Sequence, residues 1–266
     1  MPETPISETS PVIEISQDGA VGIITLNRPD QFNCLSMALH EALYEALDQF
    51  ELDPKVRSVL IKANGKNFCT GADLDEVSGF RESDDDIRAF LETGLDTFRK
   101  LETSPLPIVI AQQGLALAGG LELVLAGDIV FAAKNAQLGD QHAHFGLIPG
   151  WGGSQRLPRL IGRRRALDLM LSARWLTAEQ ALDYGLVNYV VDEDKLFESA
   201  LDYCRQLSKR SPSGLKLMKQ LTDRGLDMPL EQGLALELDL ATPALRSDAV
   251  SEGLNAFAEK RQPVFT

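Results

Sequence analysis

The chemistry most visible in this chain centres on Glu122. It sits in Leu117-Ala118-Gly119-Gly120-Leu121-Glu122-Leu123-Val124-Leu125-Ala126-Gly127-Asp128, a run that two adjacent glycines open and that is otherwise apolar. An ionised carboxylate is costly to bury unpaired. Either an Arg or a hydrogen-bond network satisfies it, or the site needs a carboxylate of shifted pKa. Upstream, Leu106-Pro107-Ile108-Val109-Ile110-Ala111 reads as a buried strand. The stretch is therefore strand, glycine-containing turn and short buried helix, with the first free N–H groups near Gly119 and Gly120. Such a helix start suits a developing negative charge, and glycine lets a ligand approach the backbone. Glu122 falls one turn beyond Gly119, on roughly the same face.

A second turn, Phe68-Cys69-Thr70-Gly71-Ala72-Asp73, also runs from strand to helix with small residues and can present the N–H of Ala72. Two independent turns aimed at one oxygen make an oxyanion hole, which stabilises an enolate formed from a thioester. Cys69 is either a nucleophilic thiol or, more simply, a small buried apolar residue. Asp73 and Asp75 read as a helix N-cap and a first-turn charge. His142 and His144, with Asp140 beside them, stand at i, i+2; for a metal they lack helical i, i+4 spacing and a clear third ligand. His142 is a candidate general acid or base, set against a hydrogen-bonded loop histidine. Gly150-Trp151-Gly152-Gly153-Ser154 fits neither a dinucleotide fingerprint nor a nucleophile elbow. Gln155 and Arg156 occupy the closing glycine positions of those motifs, which leaves a packing turn.

The elements that must hold these residues follow from periodicity and punctuation. Val12–Ile15 and Val21–Leu26 around Gly19 predict a hairpin, and Ser36 caps a helix through about Glu51. Val56–Ala63 is a strand, Gly79–Asp86 a polar mobile segment, and about Asp86–Glu102 a helix. Ile129–Ala133 is a strand; residues 138–157 form a loop or broken helix. Helices over Arg163–Leu171 and Thr177–Tyr184 and a strand over Leu186–Val191 come next. Four helices at about 194–210, 213–225, 229–241 and 248–261, punctuated by Pro212, Pro229 and Pro243, complete the chain.

At 266 residues with 44% hydrophobic and 24% charged side chains, the composition is that of a soluble globular protein. A formal net charge of −13 disfavours nucleic acid as a partner but leaves room for a local basic pocket for a phosphate-bearing ligand. No apolar run is long enough to span a membrane, and residues 1–11 read as a flexible leader rather than a signal peptide. Three scattered cysteines make no disulfide framework or zinc site, so a cytoplasmic location is expected.

Taken together, Asn67–Leu74, Ala118–Leu123, Gly146–Leu157 and Ala181–Asn188 resemble the crotonase (enoyl-CoA hydratase/isomerase) superfamily in order and spacing. The likeness runs from Leu26-Asn27-Arg28-Pro29 to Phe257-Ala258-Glu259-Lys260-Arg261. It implies an α/β fold: a spiral of ββα units over residues 12–200 and a helical oligomerisation region over 201–266. It further implies homotrimers, often paired into hexamers, and acyl-CoA thioester substrates in which coenzyme A is part of the substrate. No metal and no other cofactor is expected. By the same resemblance Ala72 and Gly119 give the oxyanion-hole N–H groups, and Glu122 matches the first of two hydratase glutamates. Lys66 and the segment with Cys69, Thr70, Gly71, Asp73 and Leu74 match positions around the coenzyme A nucleotide and pantetheine. Phe257 and Lys260 match residues contributed by a neighbouring subunit.

The chain departs from that pattern once. The second glutamate, eight residues before Gly150, is His142. Reversible hydration of a 2-enoyl-CoA, with Glu122 as base toward water and His142 as acid, is the leading expectation. Double-bond isomerisation and acyl-CoA hydrolysis are the alternatives within the superfamily. A non-catalytic CoA-thioester-binding oligomer is the alternative from another class.

Overall fold

The computed structural model describes residues 11–265, so nearly all of the expected leader lies outside the described residues. Among the described residues nine strands form two sheets: β1 (Ile13–Asp18), β2 (Val21–Leu26), β3 (Ser58–Ala63), β4 (Ile108–Gln112), β5 (Leu115–Leu117), β6 (Ile129–Ala133), β7 (Gln137–Gly139), β8 (Leu176–Thr177) and β9 (Tyr189–Val191). The larger sheet has the order β1-β2-β3-β4-β6-β9 and the smaller β5-β7-β8. Only the β1–β2 hairpin is antiparallel in the larger sheet; β2 through β9 run parallel.

Parallel strands are covered on both faces, and this explains their nearly unbroken apolar sequences. On one face Val21, Ile23, Leu60, Val109, Ala111 and Phe131 meet Leu196, Ala200, Leu201 and Cys204 of helix Leu196–Leu207. On the other, Ile24, Leu26, Val59, Ile61, Ile108 and Ile110 join the main core. Alternation along each strand thus divides one apolar run between two cores. Leu196–Leu207 therefore packs on the sheet layer.

The helices are α1 (Met37–Leu52), α2 (Leu74–Phe80), α3 (Asp84–Thr103), α4 (Gly119–Leu125), α5 (Gly153–Ile161), α6 (Arg163–Ser172), α7 (Ala178–Tyr184), α8 (Leu196–Leu207), α9 (Pro212–Leu226), α10 (Leu230–Ala244) and α11 (Asp248–Glu259). Ser36 caps α1 by accepting from the Leu39 N–H, and Thr177 with Gln180 forms a capping box on α7. Asp73 caps α2 through the N–H groups of Asp75 and Glu76. Gly79–Asp86 comprises the end of α2, a three-residue turn over 81–83 and the first turn of α3, which Ser83 caps. In the tail, Pro243 does not end its helix: it lies in the last turn of α10.

Short strands of the small sheet, which pattern reading did not foresee, stack the turns that carry the site. Leu35 bridges Ala72, Cys69 bridges Ala116, and β5 pairs with β7, all in parallel. Strands β2, β3, β4 and β6 of the large sheet thus each lead into a short strand or bridge of the second layer and then into a helix.

Candidate active site

Two main-chain turns meet at the start of α4. A Cβ added to Gly120 would lie 2.1 Å from the Cys69 carbonyl oxygen, and one on Gly71 would lie 3.2 Å from the Gly119 nitrogen. Only glycine permits that approach. Among the described residues, neither the Ala72 N–H nor the Gly119 N–H has an acceptor, and both residues line the same cavity. The residue before Gly119, Ala118, is held at φ 50° and ψ −118°, a conformation that ordinary side chains rarely adopt. Its N–H donates to the Gly139 carbonyl and its own carbonyl accepts from the Glu122 N–H, at 2.9 and 3.0 Å. These bonds, one at each end, hold the turn.

Glu122 is 1% exposed. Its Oε1 accepts from the Trp151 N–H at 2.9 Å and the Gly153 N–H at 2.7 Å. A hydrogen-bond network rather than an Arg therefore holds it. Its Oε2 has no hydrogen-bond partner among the described residues and lies 3.7 Å from His142 Nε2. Burial drives the Glu122 pKa above the usual carboxylate value, against the pull of the Gly153 and Trp151 N–H groups and of His142. The Gly150–Ser154 turn is thus a packing turn whose N–H groups hold the carboxylate. A Cβ on Gly153 would come within 3.0 Å of Glu122 Cγ. Arg156 anchors the turn by donating to the Trp151 carbonyl and pairing with Glu102.

His142 opens a short 3-10 turn, His142–Phe145, and is buried. Its Nδ1 lies 3.0 Å from Asp140 Oδ1, and its own N–H donates to that oxygen at 3.2 Å. Burial works against its charge, but Asp140 and then Glu122 outweigh it, and the pKa rises above the ordinary histidine value. His144 is exposed and edge-on to Phe145. Among the described residues no cluster of three or more His, Cys, Asp or Glu side chains could hold a metal.

Two cavities meet at this point. One of about 510 Å³ is lined by Ala72, Gly119, Glu122 and His142 together with the apolar Val77, Phe80, Ile87, Phe90, Leu91 and Trp151. The other, about 630 Å³, is bounded by Thr70, Ala72, Asp73, Leu74, Leu117, Ala118 and His142. Ala72, His142 and Leu147 line both.

Of the residues expected around coenzyme A, Thr70, Asp73 and Leu74 line the second cavity. Asp73 also pairs with Arg28 at 2.8 Å, which ties the Arg28-Pro29 loop to this turn. The Cys69 side chain lies in the core, with burial pushing its thiol up to about 12, so it contributes to the turn through its backbone alone. Lys66 is exposed, and Gly71 acts through its contact with Gly119. Phe257, 85% exposed, and Lys260, at the end of α11, line neither cavity. Asp140 and the N–H groups of Trp151 and Gly153 were not foreseen as parts of the site. For Asp140 the signal was an acid two residues before a candidate histidine; backbone donors carry none.

The profile of the family described as Enoyl-CoA hydratase/isomerase matches residues 16–266. The chain belongs to the enoyl-CoA hydratase/isomerase family. A protein of Mycobacterium bovis named "probable enoyl-CoA hydratase" is 36% identical over 258 residues, covering 97% of this chain and 99% of the relative. The 1,2-epoxyphenylacetyl-CoA isomerase of Escherichia coli K12 is 37% identical over 249 residues, 91% of this chain and 94% of the relative. Among solved structures, an enoyl-CoA hydratase from Bacillus anthracis superposes with TM-score 0.91 at 36% identity, covering 96% of this chain and 98% of that one. The crotonase fold expected from the motifs is thereby the fold of this family member. Its relatives carry both hydratase and isomerase names.

Proposed function

We propose that the chain catalyses reversible hydration of a 2-enoyl-CoA thioester. The observation that carries this reading is the facing pair Glu122 Oε2 and His142 Nε2, 3.7 Å apart beside the unpaired N–H groups of Ala72 and Gly119. In this reading the thioester oxygen accepts from those two N–H groups, the acyl chain enters the apolar cavity, and pantetheine follows the second cavity past Thr70, Asp73 and Leu74. Glu122 takes a proton from water as the water oxygen adds to the β-carbon; charge moves to the thioester oxygen as an enolate. The His142 imidazolium delivers its Nε2 proton to the α-carbon. Glu122 is then protonated and His142 neutral, and transfer of the proton from Oε2 to Nε2 restores the starting state. Coenzyme A is part of the substrate, and no further cofactor or metal is invoked.

The reading extends to assembly and location. Helices α9 and α10 bury no residue in the single chain, and α10 exposes Leu230, Leu234 and Leu238 at four-residue spacing. Such a stripe suits burial against further copies, in a trimer or a pair of trimers. In that assembly Phe257 and Lys260 would serve a neighbouring subunit's coenzyme A. Among the described residues no helix is long and apolar enough to cross a membrane, and we place the enzyme in the cytoplasm, in fatty acid metabolism.

Loss of the conjugated-thioester absorbance of crotonyl-CoA tests the reaction. Turnover that disappears in Glu122→Gln supports it, and no turnover with the intact site sinks it. A 3-enoyl-CoA supplied in parallel separates isomerisation, which needs no water.

A further inference from the structure

The mechanism above leaves the Asp140 carboxylate without a task, yet its placement is specific. It is 1% exposed, directly after β7, and a single oxygen, Oδ1, meets His142 twice. The backbone contact at 3.2 Å fixes the carboxylate relative to the turn; the ring contact at 3.0 Å leaves Nδ1 as the hydrogen-bearing nitrogen. Nε2 is then the nitrogen that faces Glu122 Oε2. Rotating the ring away would leave the buried Asp140 Oδ1 with the His142 main-chain N–H alone. The other ionisable side chains lining the two cavities are Arg81 in the apolar one and Cys34, Asp73, Asp75 and His144 in the other.

We propose that Asp140 is a positioning residue for the reaction: it holds the tautomer and ring plane of His142 so that Nε2 exchanges its proton with Glu122. The inference rests on the acid–base reading of Glu122 and His142 given above. It makes His142 and Asp140 one unit. With a glutamate at position 142, Asp140 would face a second carboxylate and become a repulsive neighbour instead of a supporting one. The two changes are therefore coupled, and the sign of the Asp140 effect depends on which residue occupies position 142.

Four proteins test this: the wild type, Asp140→Asn, His142→Glu and the double variant. For each, kcat and KM for crotonyl-CoA are measured from about pH 5.5 to 9. Asp140→Asn is expected to lower kcat about tenfold or more, leave KM within about twofold, and move the limb due to His142 to lower pH. In the His142→Glu background the same change leaves kcat unchanged or raises it. Equal losses in both backgrounds, or an unchanged wild-type kcat and pH profile, overturn the proposal. An NMR titration of the His142 ring gives a readout independent of turnover, so failure of the hydration reading is distinguishable. Asp140→Asn should lower its midpoint by about one unit or more, and an unchanged midpoint overturns the proposal. Should that variant not fold, a wild-type midpoint above about 6.5 supports the proposal, and one at or below it overturns it.

Discussion

His40 and His142 are both buried, yet their surroundings drive them in opposite directions. His40, on α1, lies among rings: Trp151 at 4.6 Å between centroids, Phe98 at 5.5 Å and Phe90 at 6.2 Å. Neither of its ring nitrogens has a hydrogen-bond partner among the described residues, and burial pushes its pKa down to about 3. His142 has Asp140 on one nitrogen and Glu122 facing the other, and its pKa is raised despite burial. Burial alone leaves a histidine neutral; a buried carboxylate within hydrogen-bond reach makes it a proton carrier. Trp151 connects the two regions, its ring against His40 and its main-chain N–H donating to Glu122 Oε1.

The largest effect that can break this contrast comes from the carboxylate side. Glu122→Gln keeps the shape but removes the base, and kcat is expected to fall about 10²- to 10⁴-fold in the crotonyl-CoA assay. Next is Gly153→Ala, whose Cβ would crowd Glu122 Cγ and Oε1 at 3.0 and 3.1 Å. Displacing the short N–H bond should cost about 10- to 100-fold in kcat with the fold retained by circular dichroism.

Stability measurements sharpen the comparison further. The native pKa of His40 lies below its unfolded value, so its native state stays neutral while the unfolded chain takes up a proton below about pH 6.5. Stability therefore falls as pH drops from about 6.5 towards 3, by about 2 kcal/mol between pH 7 and 5 from this group. His40→Leu should remove that share of the acid loss, read from urea midpoints at the two pH values. His142 has the opposite sign. With its native pKa raised, the stability it contributes is complete below about pH 6.5 and is lost as pH rises through the native value. The stability deficit of His142→Asn should accordingly shrink from acid to alkaline pH, the smallest of these effects. Parallel slopes for the two histidine variants would contradict the contrast.

Legibility in the sequence followed the range of the interactions involved. Ser36, Asp73 and Thr177 could be read as caps because each bonds an N–H two or three residues away. The long strands were visible because parallel strands covered on both faces are apolar throughout. Strands β5, β7 and β8, of three, three and two residues, leave no periodicity to detect; their partners lie in other parts of the chain. Pro243 lies in the final turn of α10, one residue before that helix ends at Ala244, so it marks the helix end only to within a residue or two.

Glu122 was marked by its own sequence as a carboxylate that burial would make expensive, and the glycines before it as a place where backbone must come close. Those are properties of residue types in their immediate neighbourhood. Which oxygen is held and which is free, and that the free one faces His142, was decided by the meeting of three turns spread over about eighty residues of chain, at 72, 119–122 and 151–153. Hydrogen-bond donors of the main chain are the same at every position except proline. Only the tertiary fold selects the few that are aimed inward.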